Sequence, residues 1–202
     1  MANIDLALYG AHAAFWSAFG LTRLILHSRG HHGTGTSEPG GGASQQETTA
    51  PFSRALLAVH MLAFAVMYFG IANAVLPRRV PVWFHGQRVV GSMVIASGAV
   101  LVTWALVHFR SWRFRAKLDE GHQLATGGPF RIVRHPIYMG LDLLALGTAL
   151  WVPTTLVWIG FVLMGVGSDL RARAEEALLE RAFGHSYREY TARTRRFVPG
   201  IY

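Results

Sequence analysis

Residues 137 to 168 read IYMGLDLLALGTALWVPTTLVWIGFVLMGVGS, an apolar run interrupted near its centre by Pro153, with Gly147 and Gly160 on either side. Proline has no amide hydrogen for the helix ladder and its ring clashes with the preceding turn, so the run predicts two helices meeting at a tight turn and not one rod. Each arm holds only about 15 residues, short for a hydrocarbon layer about 30 Å thick. A helical hairpin, extended at its outer ends and packed against other spans, resolves that shortfall.

Upstream of the hairpin, Ala55 to Leu76 and Val89 to Phe109 are each long and apolar enough to cross. Ile4 to Leu26 is also mostly apolar but carries Asp5, His12 and Arg23, which makes it the weakest span. It lacks a basic leader and a small-residue cleavage site, so a retained helix is expected and not a signal peptide. Ser28 to Ala50 is rich in Gly, Ser, Thr and His and reads as a flexible linker. Its neighbouring His27, His31 and His32 have no spaced partner ligand, so a solvated loop is expected and no metal site.

Downstream, Asp169 to Arg196 is charged, with Leu170, Ala174, Ala177, Leu178 and Ala182 recurring at helical spacing. The expected fold is all-α: a polytopic transmembrane bundle of about five spans, with a helical hairpin and a C-terminal amphipathic cytoplasmic helix. Three regions follow: residues 1–54, a membrane helix and linker; 55–109, two transmembrane helices; and 110–202, the region that carries chemistry. Thirteen of the nineteen Lys and Arg fall between Arg110 and Arg134 or between Arg171 and Arg196, which puts both segments on the cytoplasmic side.

Composition agrees. Hydrophobic residues make up 51% of the 202, charged residues 15%, and mean hydropathy is +0.29, too apolar for a soluble domain of this size. The net charge of +8 is mostly arginine beside apolar stretches, without a basic domain or nucleic-acid motif, so membrane lipids and not nucleic acid are the expected contacts. The chain has no cysteine, which excludes disulfides, thiolate metal sites and a cysteine nucleophile.

Two polar segments flank the hairpin and should meet on one membrane face. The first runs from His122 through Gly127-Gly128-Pro129-Phe130 to Arg134-His135-Pro136-Ile137-Tyr138. Its glycines permit close backbone approach, Pro136 suits a first helical turn, and Phe130 and Tyr138 offer aromatic faces for an adenine ring or a cation. The second runs from Arg171 to Tyr190. Arg171 and Glu175, four residues apart, share a helix face and can present a cation and an anion to a small zwitterion.

In order along the chain come Gly128-Pro129-Phe130, Arg134-His135-Pro136-x-Tyr138-x-Gly140, the Arg171 to Glu176 cluster, Phe183-Gly184-x-x-Tyr187-x-x-Tyr190 and Arg196-Phe197-x-Pro199. This set resembles the isoprenylcysteine carboxyl methyltransferase family and its bacterial relatives, over about two fifths of the chain. The resemblance implies an integral membrane enzyme whose S-adenosylmethionine pocket faces the cytoplasm and whose lipophilic or lipidated acceptor enters from the lipid. It implies that His122, Gln123, Leu124, Ala125 and Phe130 line the cofactor, that His135, Pro136, Ile137 and Tyr138 wrap it, and that Glu175 accepts from it. Arg171 would face the acceptor, so Arg171 and His135 are the candidate catalytic residues. Phe130 stands where the family often has tyrosine, which removes a hydroxyl.

The reaction implied is direct displacement at the sulfonium methyl in a dry pocket. A carboxylate acceptor is already ionised and needs no base, whereas a thiol or amine would need one, for which His135 or Glu176 is nearest in sequence. The motifs leave open phospholipid N-methylation and small-thiol S-methylation. From other classes, they leave open an NADPH-dependent sterol-reductase-like enzyme, for which the chain is short, and a non-catalytic membrane subunit. An Arg171–Glu175 pair on its own is also what a solvated salt bridge looks like, worth under about 1 kcal/mol. Asp142, ionisable inside the apolar run, fits either packing or the lining of an acceptor tunnel.

Overall fold

The computed structural model describes residues 2–31, 53–77, 79–108 and 124–202. Among them are five α-helices and one short 3-10 turn: α1 Ala2–His31, α2 Ser53–Val75, α3 Gln87–His108, the 3-10 turn Gly128–Arg131, α4 Pro136–Trp151 and α5 Thr155–Arg193. Among the described residues, three helices are long and apolar enough to cross a membrane: α2 from Ala55, α3, and α5. The all-α membrane bundle expected from the hydropathy pattern is what the chain forms.

The hairpin turns at Val152-Pro153-Thr154. The Val152 amide still donates to the Thr148 carbonyl at 2.8 Å, and Thr154 starts α5 from an extended conformation. The first arm, α4, has 16 residues, about 24 Å at about 1.5 Å per residue, and stays the short arm. Two expectations need correction. The amphipathic segment after Asp169 is no separate helix but the outward continuation of α5, because nothing between Ser168 and Phe183 breaks the ladder; the break comes at Gly184, whose φ of 49° a side chain would resist. The linker also begins later than Ser28, since the α1 backbone stays helical through His31; residues 32–50 lie outside the described residues.

Helix α4 packs on α3 and α5, α2 on α5, and α1 on α3. The α3–α4 seam is built on facing glycines. A Cβ at Gly91 would sit 2.7 Å from the Gly147 carbonyl oxygen, and one at Gly98 would sit 2.7 Å from that of Gly140. Without a hydrophobic force between helices in lipid, such close backbone approach supplies the van der Waals contact that holds them. Gln87, buried at the start of α3, donates to the Trp151 carbonyl at 3.3 Å and so ties α3 to the hairpin turn.

The polar residues of α1 have partners. His12 lies 3.0 Å from the Tyr68 hydroxyl and 2.9 Å from that of Thr148, and the Trp16 indole donates to Tyr68 at 2.9 Å. This network fastens α1 to α2 and α4, where an unpaired imidazole in hydrocarbon would be costly.

Candidate active site

At the outer ends of α4 and α5 the chain before Pro136, the charged half of α5 and the C-terminal tail come together. Gly128, at φ 56°, turns the chain beneath His108 into the 3-10 turn, whose buried Pro129 and Phe130 lie against the bundle. After α5 the tail doubles back: the amides of Arg134 and His135 donate to the carbonyls of Arg195 and Arg196 at 2.7 and 3.2 Å. Pro136 opens α4 where an amide hydrogen would have no helical partner.

Between these segments lies a cleft that opens to solvent. Leu124, Ala125, Phe130, His135, Pro136, Ile137, Tyr138 and Glu175 line it, so eight of the residues singled out in the sequence share one wall-to-wall site. Arg171 stands beside it, its guanidinium 5.2 Å from the centre of the Tyr138 ring and Nη2 3.9 Å from Glu175 Oε1. His122 and Gln123 lie outside the described residues.

Glu175 is the polar centre of the cleft. The Tyr138 hydroxyl donates to Oε1, and His135 Nδ1 is 3.7 Å from Oε2. The His135 ring, 7% exposed, stacks on Tyr138 at 5.8 Å and 18° and reaches Glu176 Oε1 through Nε2 at 3.2 Å. Glu176 faces elsewhere: Arg134 donates to it at 2.9 Å and Arg196 at 3.0 and 2.6 Å. Burial works to raise its carboxyl, but hydrogen bonds from His135, Arg196 and Arg134 outweigh burial and hold it well below the usual carboxylate range. A carboxylate so saturated is a poor proton acceptor, which removes one of the two bases the sequence suggested.

That clamp sets a pH dependence. Because the folded state holds Glu176 below its ordinary value of about 4.5, its contribution is fully present above that value and drains away as pH falls below it. Thermal unfolding in detergent is expected to show a midpoint that drops between about pH 5 and pH 3, and the drop is expected to shrink in Glu176→Gln. Equal drops in both proteins would show that the clamp does not report on folding.

Sequence reasoning passed over Arg134, Leu179, Tyr187 and Tyr190 as lining residues. Tyr190 donates to the Phe130 carbonyl at 2.6 Å and so holds the 3-10 turn against α5. Tyr187 is buried at 3% exposure, yet its hydroxyl has no hydrogen-bond partner among the described residues. Burial, and next the Glu176 carboxylate, push that hydroxyl well above the ordinary tyrosine range, so it stays a neutral donor. The Tyr187-x-x-Tyr190 spacing on a helix was the available signal.

Residues 87–186, from the start of α3 through most of α5, match the family model described as phospholipid methyltransferase. A probable protein-S-isoprenylcysteine O-methyltransferase from Oryza sativa subsp. indica is 28% identical over 144 residues, 69% of this chain and 74% of that one. Protein-S-isoprenylcysteine O-methyltransferase B from Arabidopsis thaliana is 32% identical over 115 residues, 55% of this chain and 58% of its own. The Schizosaccharomyces pombe protein-S-isoprenylcysteine O-methyltransferase is 37% identical over 90 residues, 43% and 37% of the two chains. An apolar helical bundle with this cleft and these relatives is a membrane methyltransferase. Within that class, the chain is similar to isoprenylcysteine methyltransferases at modest identity.

Proposed function

We propose that the cleft binds S-adenosylmethionine on the cytoplasmic face of the membrane and that the chain methylates a carboxylate on a lipophilic acceptor. The observation that carries this reading is Glu175, an anion on the cleft wall among Tyr138, His135 and Arg171. The residues present fit the cofactor. The buried Tyr187 hydroxyl on the cleft wall, without a hydrogen-bond partner among the described residues, offers a donor that a bound ligand would satisfy.

When bound, S-adenosylmethionine supplies a methyl carbon that an acceptor oxygen attacks as the carbon–sulfur bond breaks. Glu175 holds the ammonium end. Tyr138, Phe130 and Tyr187 surround the remainder with aromatic faces, which attract a cation and exclude water. His135, with Ile137 and Pro136 behind it, keeps Tyr138 and Glu175 in register, and His122 and Gln123 are assigned to the same pocket by resemblance. Arg171, stacked on Tyr138, orients the acceptor carboxylate. A carboxylate needs no base, in keeping with a Glu176 that is clamped by arginines.

Membranes containing the protein, incubated with methyl-labelled S-adenosylmethionine and a lipid extract, are expected to yield label that base releases as methanol, the mark of a methyl ester. Arg171→Ala is expected to raise acceptor KM at least tenfold while S-adenosylhomocysteine still binds. Label in a base-stable amine or thioether would overturn the carboxylate assignment.

A further inference from the structure

Beneath the cleft a second polar cluster continues into the bundle. Asp142 lies one turn along α4 from Tyr138, on the same face. Its Oδ1 accepts a hydrogen bond from Ser168 of α5 at 2.8 Å, and His60 of α2 places Nε2 3.4 Å from that same hydroxyl. His60 also reaches back toward the site, its ring 5.9 Å from that of Tyr138. Gly167 makes room for it: a Cβ there would lie 3.0 Å from His60 Nδ1. Ser168 and His60 are buried, at 0% and 2% exposure, whereas Asp142 keeps part of its surface open.

Among the described residues, one hydroxyl donates to this carboxyl group, which can accept about four hydrogen bonds. An ionisable group at membrane depth is costly and marks a pathway or a ligand. An amide N–H would satisfy a lone pair but leave a carboxylate's charge uncompensated, whereas a cation supplies both hydrogen bond and countercharge. The cation site for a carboxylate stands close by. Arg171 is three residues past Ser168 on α5 and its guanidinium lies 5.2 Å from the centre of the Tyr138 ring, one turn of α4 above Asp142.

We propose that Asp142, seated by Ser168 and His60, is a specificity residue that binds a free ammonium on the acceptor, next to the carboxylate held by Arg171. The acceptor is then a small zwitterionic amphiphile, an amino acid carrying a lipid chain with its amine unblocked, and not the acylated end of a polypeptide. This rests on the reading of the cleft as a carboxylate methylation site.

The test uses the purified full-length protein in lipid nanodiscs and two probes suggested by the relatives: S-farnesylcysteine, with a free amine, and N-acetyl-S-farnesylcysteine. Calorimetry measures their binding, so turnover is not required. The wild type is expected to bind the free amine at least tenfold more tightly, and Asp142→Asn to bring the two within twofold. Ser168→Ala is expected to reduce the preference while leaving the carboxyl in place. Equal binding by the wild type, preference for the acetylated probe, binding of neither, or a preference that survives Asp142→Asn would each overturn the proposal. Should Asp142→Asn fail to fold, the wild-type comparison decides alone. Failure of the wild type to bind S-adenosylhomocysteine would instead count against the cleft reading, since the probe preference is measured separately.

Discussion

His135→Ala and Glu175→Ala are each expected to weaken S-adenosylhomocysteine binding at least tenfold in detergent calorimetry, about 1.4 kcal/mol apiece. Removing Glu175 takes away the countercharge proposed for the ligand ammonium. It also strips the acceptor from the hydroxyl of Tyr138, a residue 4% exposed, and leaves that donor unmet. Removing the His135 imidazole acts differently. The ring fills the space between Tyr138 and Phe197, 5.8 and 5.9 Å from their centres, and bridges Glu175 to Glu176. Its loss frees Tyr138 to shift and unlinks the ligand-facing carboxylate from the arginine-clamped one.

Tyr187→Phe belongs beside these as a smaller effect, about threefold in binding. Deleting a buried hydroxyl that has no partner among the described residues costs no hydrogen bond seen there, so stability is expected to hold or rise while affinity falls. Losses under twofold in both His135→Ala and Glu175→Ala would move the ligand out of this cleft.

Gly147→Ala is expected to lower the thermal unfolding midpoint by several degrees, and Gly147→Leu to leave no monodisperse folded protein. The added Cβ would lie 2.6 Å from the Gly91 carbonyl oxygen and 2.9 Å from the Ile95 amide nitrogen, both backbone atoms that no rotamer change can move. Helices α3 and α4 must then separate. Overpacking of this kind costs about 1–3 kcal/mol even in cores that can adjust. The opened seam also runs toward Tyr138 at the top of α4, so ligand binding should fall with stability. Gly165→Ala is the control: its Cβ meets nothing within 4 Å, and alanine in a helix is favoured over glycine by about 0.5–1 kcal/mol. A Gly147→Ala protein as stable as the wild type would show that the seam is looser than its geometry states.

Much of the architecture was readable because it is local. A proline between two apolar runs forces a turn, and charge that reappears at Asp169 ends the hydrocarbon segment whatever the rest of the chain does. What misled was equally local. The change of composition at Asp169 suggested a new helix, but a change of solvent need not break a ladder of backbone bonds, and α5 runs on to Gly184. The polar residues of α1 marked it as the weakest span, and it is not among the helices long and apolar enough to cross; what the sequence could not show is that His12 is partnered by Tyr68 and Thr148, 56 and 136 residues away.

Glu175 and Glu176 mark the boundary between the two kinds of knowledge. Their helix, their charge and their nearness to Arg171 follow from the order of residues alone, as do the apolar spans and the hairpin that returns two polar strips to one end. Which of the two carboxylates opens on the cleft does not. Neighbours on a helix of 3.6 residues per turn point about 100° apart, so the assignment depends on how α5 is rotated against α4 and on a tail that swings Arg196 back across 20 residues to clamp Glu176. That rotation is set by long-range packing, glycine against backbone and arginine against carboxylate, which short-range periodicity does not encode.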